Sequence, residues 1–384
     1  MHDVVIVGAG PVGATLALAL RDADLDVVVL DARARGQSLR GDRSLALSHG
    51  ARLILERQGV WQELAAAPGA VTPITDIDVS QSGGFGMTRL TAADVGLPAL
   101  GYVASYRALQ AALDAALLRA EVPVLHEVSV TSVGAIAAYA AVELAGGDGQ
   151  PLVARLVAIA DGTGGVLADA SRQRHDYDQV AMVARVGTEP DPGGIAWERF
   201  ASAGPIALLP EGDHYGLVWT MPPELAEGRL LQDDASFLED LAHQFGSRLP
   251  RLTSVADRRT FPLVLEFAWK TAGTRCVALG NAAQTLHPVA GQGFNVGLRD
   301  AYGLALAILD SPREDIGTRA MLDRYVGSRR IDRMAGIAFT HGLVGIFASD
   351  AGLVRWPRGL ALTFLDAIPP VKRAFSRAMM FGLR

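Results

Sequence analysis

The chain has 384 residues, half of them apolar and a fifth charged, which is ordinary globular composition and enough length for two domains around substantial cores. A net charge of −6, with no basic helix interleaved with aromatics, gives the molecule no electrostatic reason to seek nucleic acid. The single cysteine, Cys276, excludes an internal disulfide framework and a cysteine-rich zinc site; it fits a reducing cytosol and is expected to pack as a small hydrophobe.

In chain order, Val4-Val5-Ile6-Val7 reads as a buried strand, Ala14 to Arg21 as a helix, and Val27-Val28-Val29-Leu30 as a second buried strand. Continuous rather than alternating apolar strands are what a parallel sheet covered on both faces requires. The N-terminus therefore opens a doubly wound, Rossmann-like α/β domain. The uncharged stretch Val4 to Leu20 is neither a secretion signal nor a membrane span, because it has no basic start and Gly8, Gly10, Pro11 and Gly13 interrupt it. No other run is long and apolar enough to cross a bilayer, which predicts a soluble or peripheral protein of the cytoplasm.

From about Thr75 to Ser105, and again from about Val180 to Phe267, the pattern alternates, as in Ile195-Ala196-Trp197-Glu198-Arg199-Phe200, and predicts antiparallel strands. The expected organisation is a nucleotide-binding domain from 1–74, 106–179 and 268–330, an inserted, mostly antiparallel β substrate domain from 75–105 and 180–267, and a helical C-terminal segment from 331–384. No internal repeat stands out, no histidine pair has zinc spacing, and no nucleophile elbow is present, so no metal is expected.

Three motifs carry chemistry. The first is Gly8-Ala9-Gly10-Pro11-Val12-Gly13 between strand and helix: the first glycine permits the tight turn, the second lets backbone approach a pyrophosphate, and the third allows close helix packing. Asp31, at the end of the second strand, is placed to accept ribose hydroxyls, so this unit reads as a dinucleotide site. The second motif, Leu156-Val157-Ala158-Ile159-Ala160-Asp161-Gly162-Thr163, is an apolar strand ending in Asp-Gly, which alone is an ordinary turn. The third runs from Ala278-Leu279-Gly280-Asn281-Ala282-Ala283 through His287-Pro288 to Gly291-Gln292-Gly293-Phe294-Asn295-Val296-Gly297-Leu298-Arg299-Asp300-Ala301. Its glycines let backbone lie against a flat ligand, and a helix beginning near Gly293 aims its positive end at charge developing there.

In order and spacing, the three patterns resemble the aromatic-hydroxylase class of flavoprotein monooxygenases over most of the chain. Within that class, Gly41-Asp42-Arg43-Ser44-Leu45-Ala46-Leu47-Ser48, Glu198-Arg199-Phe200, Gly204-Pro205-Ile206-Ala207-Leu208-Leu209-Pro210 and the run from Gly280 to Pro288 resemble the ubiquinone-biosynthesis hydroxylases, above all those acting on 2-polyprenyl-6-methoxyphenol. The resemblance implies FAD bound non-covalently, NAD(P)H as a transient electron donor, and transfer of one atom of dioxygen to the ring of a polyprenyl phenol, giving the 1,4-benzoquinol.

It further implies that Gly8, Gly10, Pro11, Gly13 and Asp31 hold the adenosine half of FAD, with Arg43 and Arg107 near ribose and phosphates and Asp161 supporting the cofactor from below. Gly280 and Asn281 would meet the ribityl chain; the class usually has Asp at position 281, and the amide can still accept a hydrogen bond. Pro288 and Gly291 would approach the flavin ring, and Gln292, Gly293, Phe294 and Asn295 would stabilise its negative charge from a helix start. His287 either orients substrate or relays a proton, or else makes a structural hydrogen bond. Gly162-Thr163-Gly164-Gly165 departs from the class, which usually carries Ala or Ser and a later Arg, so that segment is either cofactor support or a loop. Two alternatives stay open: a related hydroxylase acting at another ring position or on another aromatic substrate, and a flavin-containing scaffold of a quinone-synthesis assembly.

The segment from Ala351 to Arg384 sets Arg355, Arg358, Lys372, Arg373, Arg377 and Arg384 among leucine and aromatic side chains, with Pro369-Pro370 dividing it. Such helices either lie on the anionic inner face of the cell membrane or pack against the nucleotide domain or a partner, whether a second copy or another quinone-synthesis enzyme.

Overall fold

The computed structural model describes residues 1–37, 43–146, 150–163, 165, 172–285, 291–347 and 352–383. Its N-terminal unit is strand His2–Val7, helix Pro11–Leu20 and strand Val27–Asp31, the two strands pairing in parallel. The helix opens three residues before the expected start, with proline in its first turn, where the missing N–H would have had no partner in any case.

These strands belong to a sheet in which Cys276–Ala278, Leu152–Ile159, His2–Val7, Val27–Asp31 and Val124–His126 lie side by side, each pair parallel. Val4 and Ile6 pack into one core cluster and Val5 and Val7 into another, so both faces are covered, as the continuous apolar run predicts. Cys276 is buried in this sheet, and burial pushes its thiol up to about 11, which keeps it protonated and unreactive. Parallel pairing brings the C-terminal ends of the strands to one edge: Val7 lies opposite both Leu30 and Ile159, and Ile159 opposite Ala278.

A second sheet of eight strands runs Gln284–Thr285, Arg251–Ala268, Arg172–Glu189, His214–Met221, Gly204–Glu211, Ile195–Ala201, Asp76–Gln81 and Met87–Thr91. Neighbours are antiparallel, as the alternation predicts, except that Ile195–Ala201 pairs in parallel with Asp76–Gln81. Those two strands come from separate excursions of the chain, and no hairpin fixes their relative direction. Strand Gly101–Ser105 leaves this sheet and joins Ser44–Ser48 and Val71–Ile74 in a small third one. Gly101 to Ala104 are all buried, the mark of a strand covered on both sides rather than an alternating one.

Alternation sorts the faces of the second sheet. Tyr215, Leu217, Trp219 and Met221 pack with Ile206 and Leu208 against the flanking helices Pro223–Leu231 and Asp234–Phe245. The intervening Val218, Thr220, Pro205, Ala207 and Leu209 face a cavity instead.

Beyond Asp310 the chain is mostly helical, with helices Arg319–Phe347, Gly352–Ala367 and Pro369–Phe381, the last two separated at Pro369. Among the described residues no helix is long and apolar enough to cross a membrane. The Gly352–Ala367 helix rests on the turn between Asp76–Gln81 and Met87–Thr91 through two glycines: a Cβ on Gly359 would come within 2.5 Å of the Phe85 carbonyl oxygen, and one on Gly86 would overlap the Gly359 backbone.

Candidate active site

The edge of the parallel sheet opens into a cavity of about 1420 Å³, well above the roughly 300–1,000 Å³ of common ligand pockets. From the first motif Gly8, Gly10 and Pro11 line it, and Asp31 joins them from the end of its strand. Asp161 and then Gly280 and Asn281 line it from just past the ends of the next two strands. Gly291, Gln292, Gly293, Phe294 and Asn295 contribute from the start of helix Gln292–Leu309, and Arg43 from the approach to strand Ser44–Ser48. The three motifs, distant in sequence, thus meet because parallel strands end together.

Two expected residues lie off the lining. Gly13 sits behind the wall, where a Cβ would overlap the Gly8 carbonyl oxygen, so its role is close packing of helix on strand. Arg107 is exposed in the first turn of helix Tyr106–Arg119 and is not part of the lining. His287 and Pro288 lie outside the described residues, as do Gly41, Asp42 and Gly164.

The glycine-built edge fits a dinucleotide. Gly8 adopts φ +100, and a Cβ there would come within 2.6 Å of the Ala160 carbonyl oxygen. A Cβ on Gly10 meets nothing within 4 Å, so the missing side chain makes room for a ligand and not for protein. Helix Pro11–Leu20 begins without a side-chain cap or an acid in its first turn, which leaves its leading N–H groups available to phosphate. Helix Gln292–Leu309 starts in the same way after Gly291, itself at φ +59.

Three polar side chains in the lining are already held by the protein. Asp31 accepts from the Ala9 N–H at 3.1 Å and from Arg33, whose Nη2 reaches it at 2.6 Å. Burial would raise the Asp31 carboxyl, but the Arg33 side chain and N–H, with that of Ala9, outweigh it and hold the group below the ordinary carboxylate value. Asp161 accepts from the Thr163 N–H at 3.0 Å and from its hydroxyl at 2.7 Å. Asn295 is a clamp: its Oδ1 accepts from Ser48 N–H at 2.8 Å, and its Nδ2 donates to the carbonyl oxygens of Ala46 at 2.9 Å and Gly291 at 2.7 Å. It ties the helix start to strand Ser44–Ser48 and thereby fixes that part of the wall.

The rest of the lining comes from the second sheet and the C-terminal helices. Ile77, Val79, Leu90 and Phe200 form an apolar floor, and Leu362, Leu365, Phe375 and Met379 close over it. Arg33, Glu198 and Arg358 also line the cavity and were not among the expected site residues. Arg358 corrects the reading of the C-terminal charges as a surface set: it is only 8% exposed and points inward. Helical periodicity is the reason, since Arg358, Leu362 and Leu365 share one face while Trp356, Leu360 and Phe364, all more than half exposed, share the other. Lys372 is likewise engaged, by Asp366 at 3.0 Å and Asp94 at 3.5 Å.

Residues 1–338 match the FAD binding domain family. The chain is similar to ubiquinone hydroxylase UbiL of Rhodospirillum rubrum, 33% identical over 392 residues that cover 100% of this chain and 90% of that one. It is also similar to the 3-demethoxyubiquinol 3-hydroxylase of Escherichia coli, 29% identical over 382 residues covering 97% and 96% of the two chains. The solved structure of p-nitrophenol 4-monooxygenase PnpA from Pseudomonas putida has the same fold, with a TM-score of 0.78 at 18% identity over 100% of this chain and 99% of that one.

Fold, cavity and kinship together define a flavoprotein monooxygenase that uses FAD and takes electrons from NAD(P)H. The chain belongs to the FAD binding domain family.

Proposed function

We propose that the protein hydroxylates the aromatic ring of a polyprenyl phenol in ubiquinone biosynthesis, with 2-polyprenyl-6-methoxyphenol as substrate and the 1,4-benzoquinol as product. The observation that carries this reading is the continuity of one cavity, from a glycine-built nucleotide edge to an apolar floor roofed by Leu362, Leu365, Phe375 and Met379. That shape suits a cofactor beside a ring that bears a long hydrocarbon tail. The names of the relatives, both hydroxylases of ubiquinone or its precursors, support the same substrate class.

In this reading the backbone from Gly8 to Gly13, with Pro11 and Asp31, holds the adenosine half of FAD, and Arg43 faces its phosphates. Asp161, Gly280 and Asn281 hold the middle of the cofactor, and Pro288 with Gly291 to Asn295 the flavin end, with His287 serving the substrate. The parallel sheet then forms the core of the nucleotide domain and the eight-stranded sheet that of the substrate domain. Bound FAD supplies the redox chemistry, passing electrons from NAD(P)H to dioxygen. The amide donors and positive dipole at the start of helix Gln292–Leu309 stabilise negative charge in the cavity, and the apolar walls keep water from the reacting ring.

Deleting the gene and identifying the quinone precursors that accumulate tests the assignment. A prenylated phenol should build up; normal ubiquinone without such a precursor would contradict it, and a different phenol would move the reaction to another ring position.

The substrate's tail partitions into lipid, and we extend the proposal to peripheral docking on the inner face of the cell membrane. The exposed stripe of Trp356, Leu360 and Phe364, with Phe85 packed on Trp356 at 5.0 Å between ring centres, backs directly onto the cavity roof. Apolar insertion adds to charge in this contact, because Arg358 is buried and Lys372 is paired while Arg373 and Arg377 remain exposed. Replacing the three stripe residues by serine should weaken binding to vesicles by at least roughly tenfold, the scale expected from losing that much buried apolar area. Undiminished vesicle binding would refute the docking face.

A further inference from the structure

Glu198 lies in the middle of strand Ile195–Ala201, flanked on the cavity face by Ala196 and Phe200. Its chain neighbours are committed elsewhere: Trp197 Nε1 donates to the Tyr215 hydroxyl at 3.0 Å, and Arg199 Nε donates to the Gln244 carbonyl oxygen at 2.9 Å. Register sets Val79 beside Glu198 on one side and Ala207 on the other, with Val218 beyond. None of these side chains can hydrogen-bond a carboxyl. Thr88, opposite Val79, gives its hydroxyl to Asp366 at 3.1 Å. From the roof, the group facing the cavity with charge is Arg358, and the last helix adds the uncharged Ser376. Among the described residues no charged group offsets the effect of burial on the Glu198 carboxyl.

Among the described residues three carboxyls line the cavity. Asp31 is held by Arg33 and Asp161 by Thr163, whereas among the described residues no hydrogen bond or ion pair engages Glu198. A polar group among apolar neighbours costs free energy until something supplies its hydrogen bond. Here the open side is the cavity, so the natural supplier is a ligand.

We propose that Glu198 receives the ring hydroxyl of the phenolic substrate and, as a carboxylate, accepts its proton. The inference rests on the reading of the cavity as a phenol site. In the step, the O–H bond of the phenol breaks and an O–H bond forms on Glu198; the phenol becomes phenolate, the carboxylate becomes the neutral acid, and no electron is exchanged. The phenolate oxygen donates electron density to the ring carbons ortho and para to it, where an electrophilic oxygen is received. Burial pushes the Glu198 carboxyl up to about 8, closer to the value of about 10 of an ordinary phenol, which favours the transfer over that to an unperturbed glutamate. Because the carboxylate form accumulates only as pH rises through about 8, activity should rise through the same range.

The experiment uses FAD-loaded wild type, Glu198→Gln and Glu198→Asp, with 2-farnesyl-6-methoxyphenol, its O-methyl ether and tail-less 2-methoxyphenol as probes. Calorimetric binding and probe-stimulated NAD(P)H oxidation are measured from pH 6 to 9.5. Wild type should prefer the phenol to the ether, and kcat/KM should climb through about pH 8. Glu198→Gln should erase that preference and that limb and lose roughly 100-fold in kcat/KM, the usual scale for a positioned base. Glu198→Asp should restore part of the limb. Infrared spectra should show one protonated carboxyl fewer in Glu198→Gln at pH 7, a change that a purely structural role would not link to substrate preference.

A Glu198→Gln enzyme with normal flavin content that keeps the wild-type preference and pH profile overturns the inference and leaves the substrate class standing. If only the tail-less phenol binds, with dependence on Glu198, the polyprenyl reading fails and the inference stands. If wild type binds no phenol at all, both fall.

Discussion

At the nucleotide edge the cavity wall is backbone. Gly8, Gly10, Gly280 and Gly291 present main chain there, a Cβ being excluded by neighbouring protein at all but Gly10, and two helices begin at this wall without a side-chain cap. On the opposite wall the surface is side chain: Val79, Glu198, Ala207 and Val218 from four strands, and Leu362, Leu365 and Met379 from the last two helices. A backbone wall tolerates almost no substitution and binds a ligand common to a whole family. A side-chain wall can be rebuilt residue by residue, which suits it to recognising the particular substrate.

The largest expected effect separates two glycines within the first wall. Gly13→Val places a side chain on the Gly8 carbonyl oxygen and should yield no soluble folded protein. Gly10→Val meets no protein atom within 4 Å at its Cβ, so it should fold and show a cooperative melt, yet purify colourless. Retained flavin in Gly10→Val would mean that the first motif does not hold the cofactor. Asn295→Ala comes next: it strands the Ser48 N–H and two carbonyl oxygens, and should cost on the order of 3 kcal/mol, read as a lower melting temperature together with reduced flavin content.

A smaller and more selective effect is expected from Gly359→Leu, which lifts the cavity roof from the Phe85 turn. Flavin content should be unchanged while phenol-stimulated NAD(P)H oxidation falls about tenfold, the scale of misplacing a substrate by a fraction of an ångström. Equal loss of flavin and turnover would show that the two walls are not separable.

The same contrast explains what was legible before the structure. The motifs at Gly8 and Gly280 are local strings in which close approach or a positive φ calls for glycine, so order and spacing suffice to recognise them, whereas the string at Asp161 alone reads as an ordinary turn. Glu198 lay in a stretch read correctly as an alternating strand, but alternation does not say which face meets a cavity, and its neighbours Val79 and Ala207 come from other strands. A single acid between inward-facing Ala196 and Phe200 was the available signal. The inward direction of Arg358 was not legible, because the basic and apolar residues of its helix reveal a period and not the direction in which each face points. The small sheet of Gly101–Ser105 was missed because its burial on both sides depends on partners distant in the chain.

The most direct test of the account is turnover of 2-polyprenyl-6-methoxyphenol by the purified FAD-loaded protein under isotopically heavy dioxygen. One heavy oxygen atom should enter each benzoquinol formed, with one NAD(P)H consumed per product and no turnover by Gly10→Val. NAD(P)H oxidation without labelled product, or a product whose new oxygen comes from water, would contradict it.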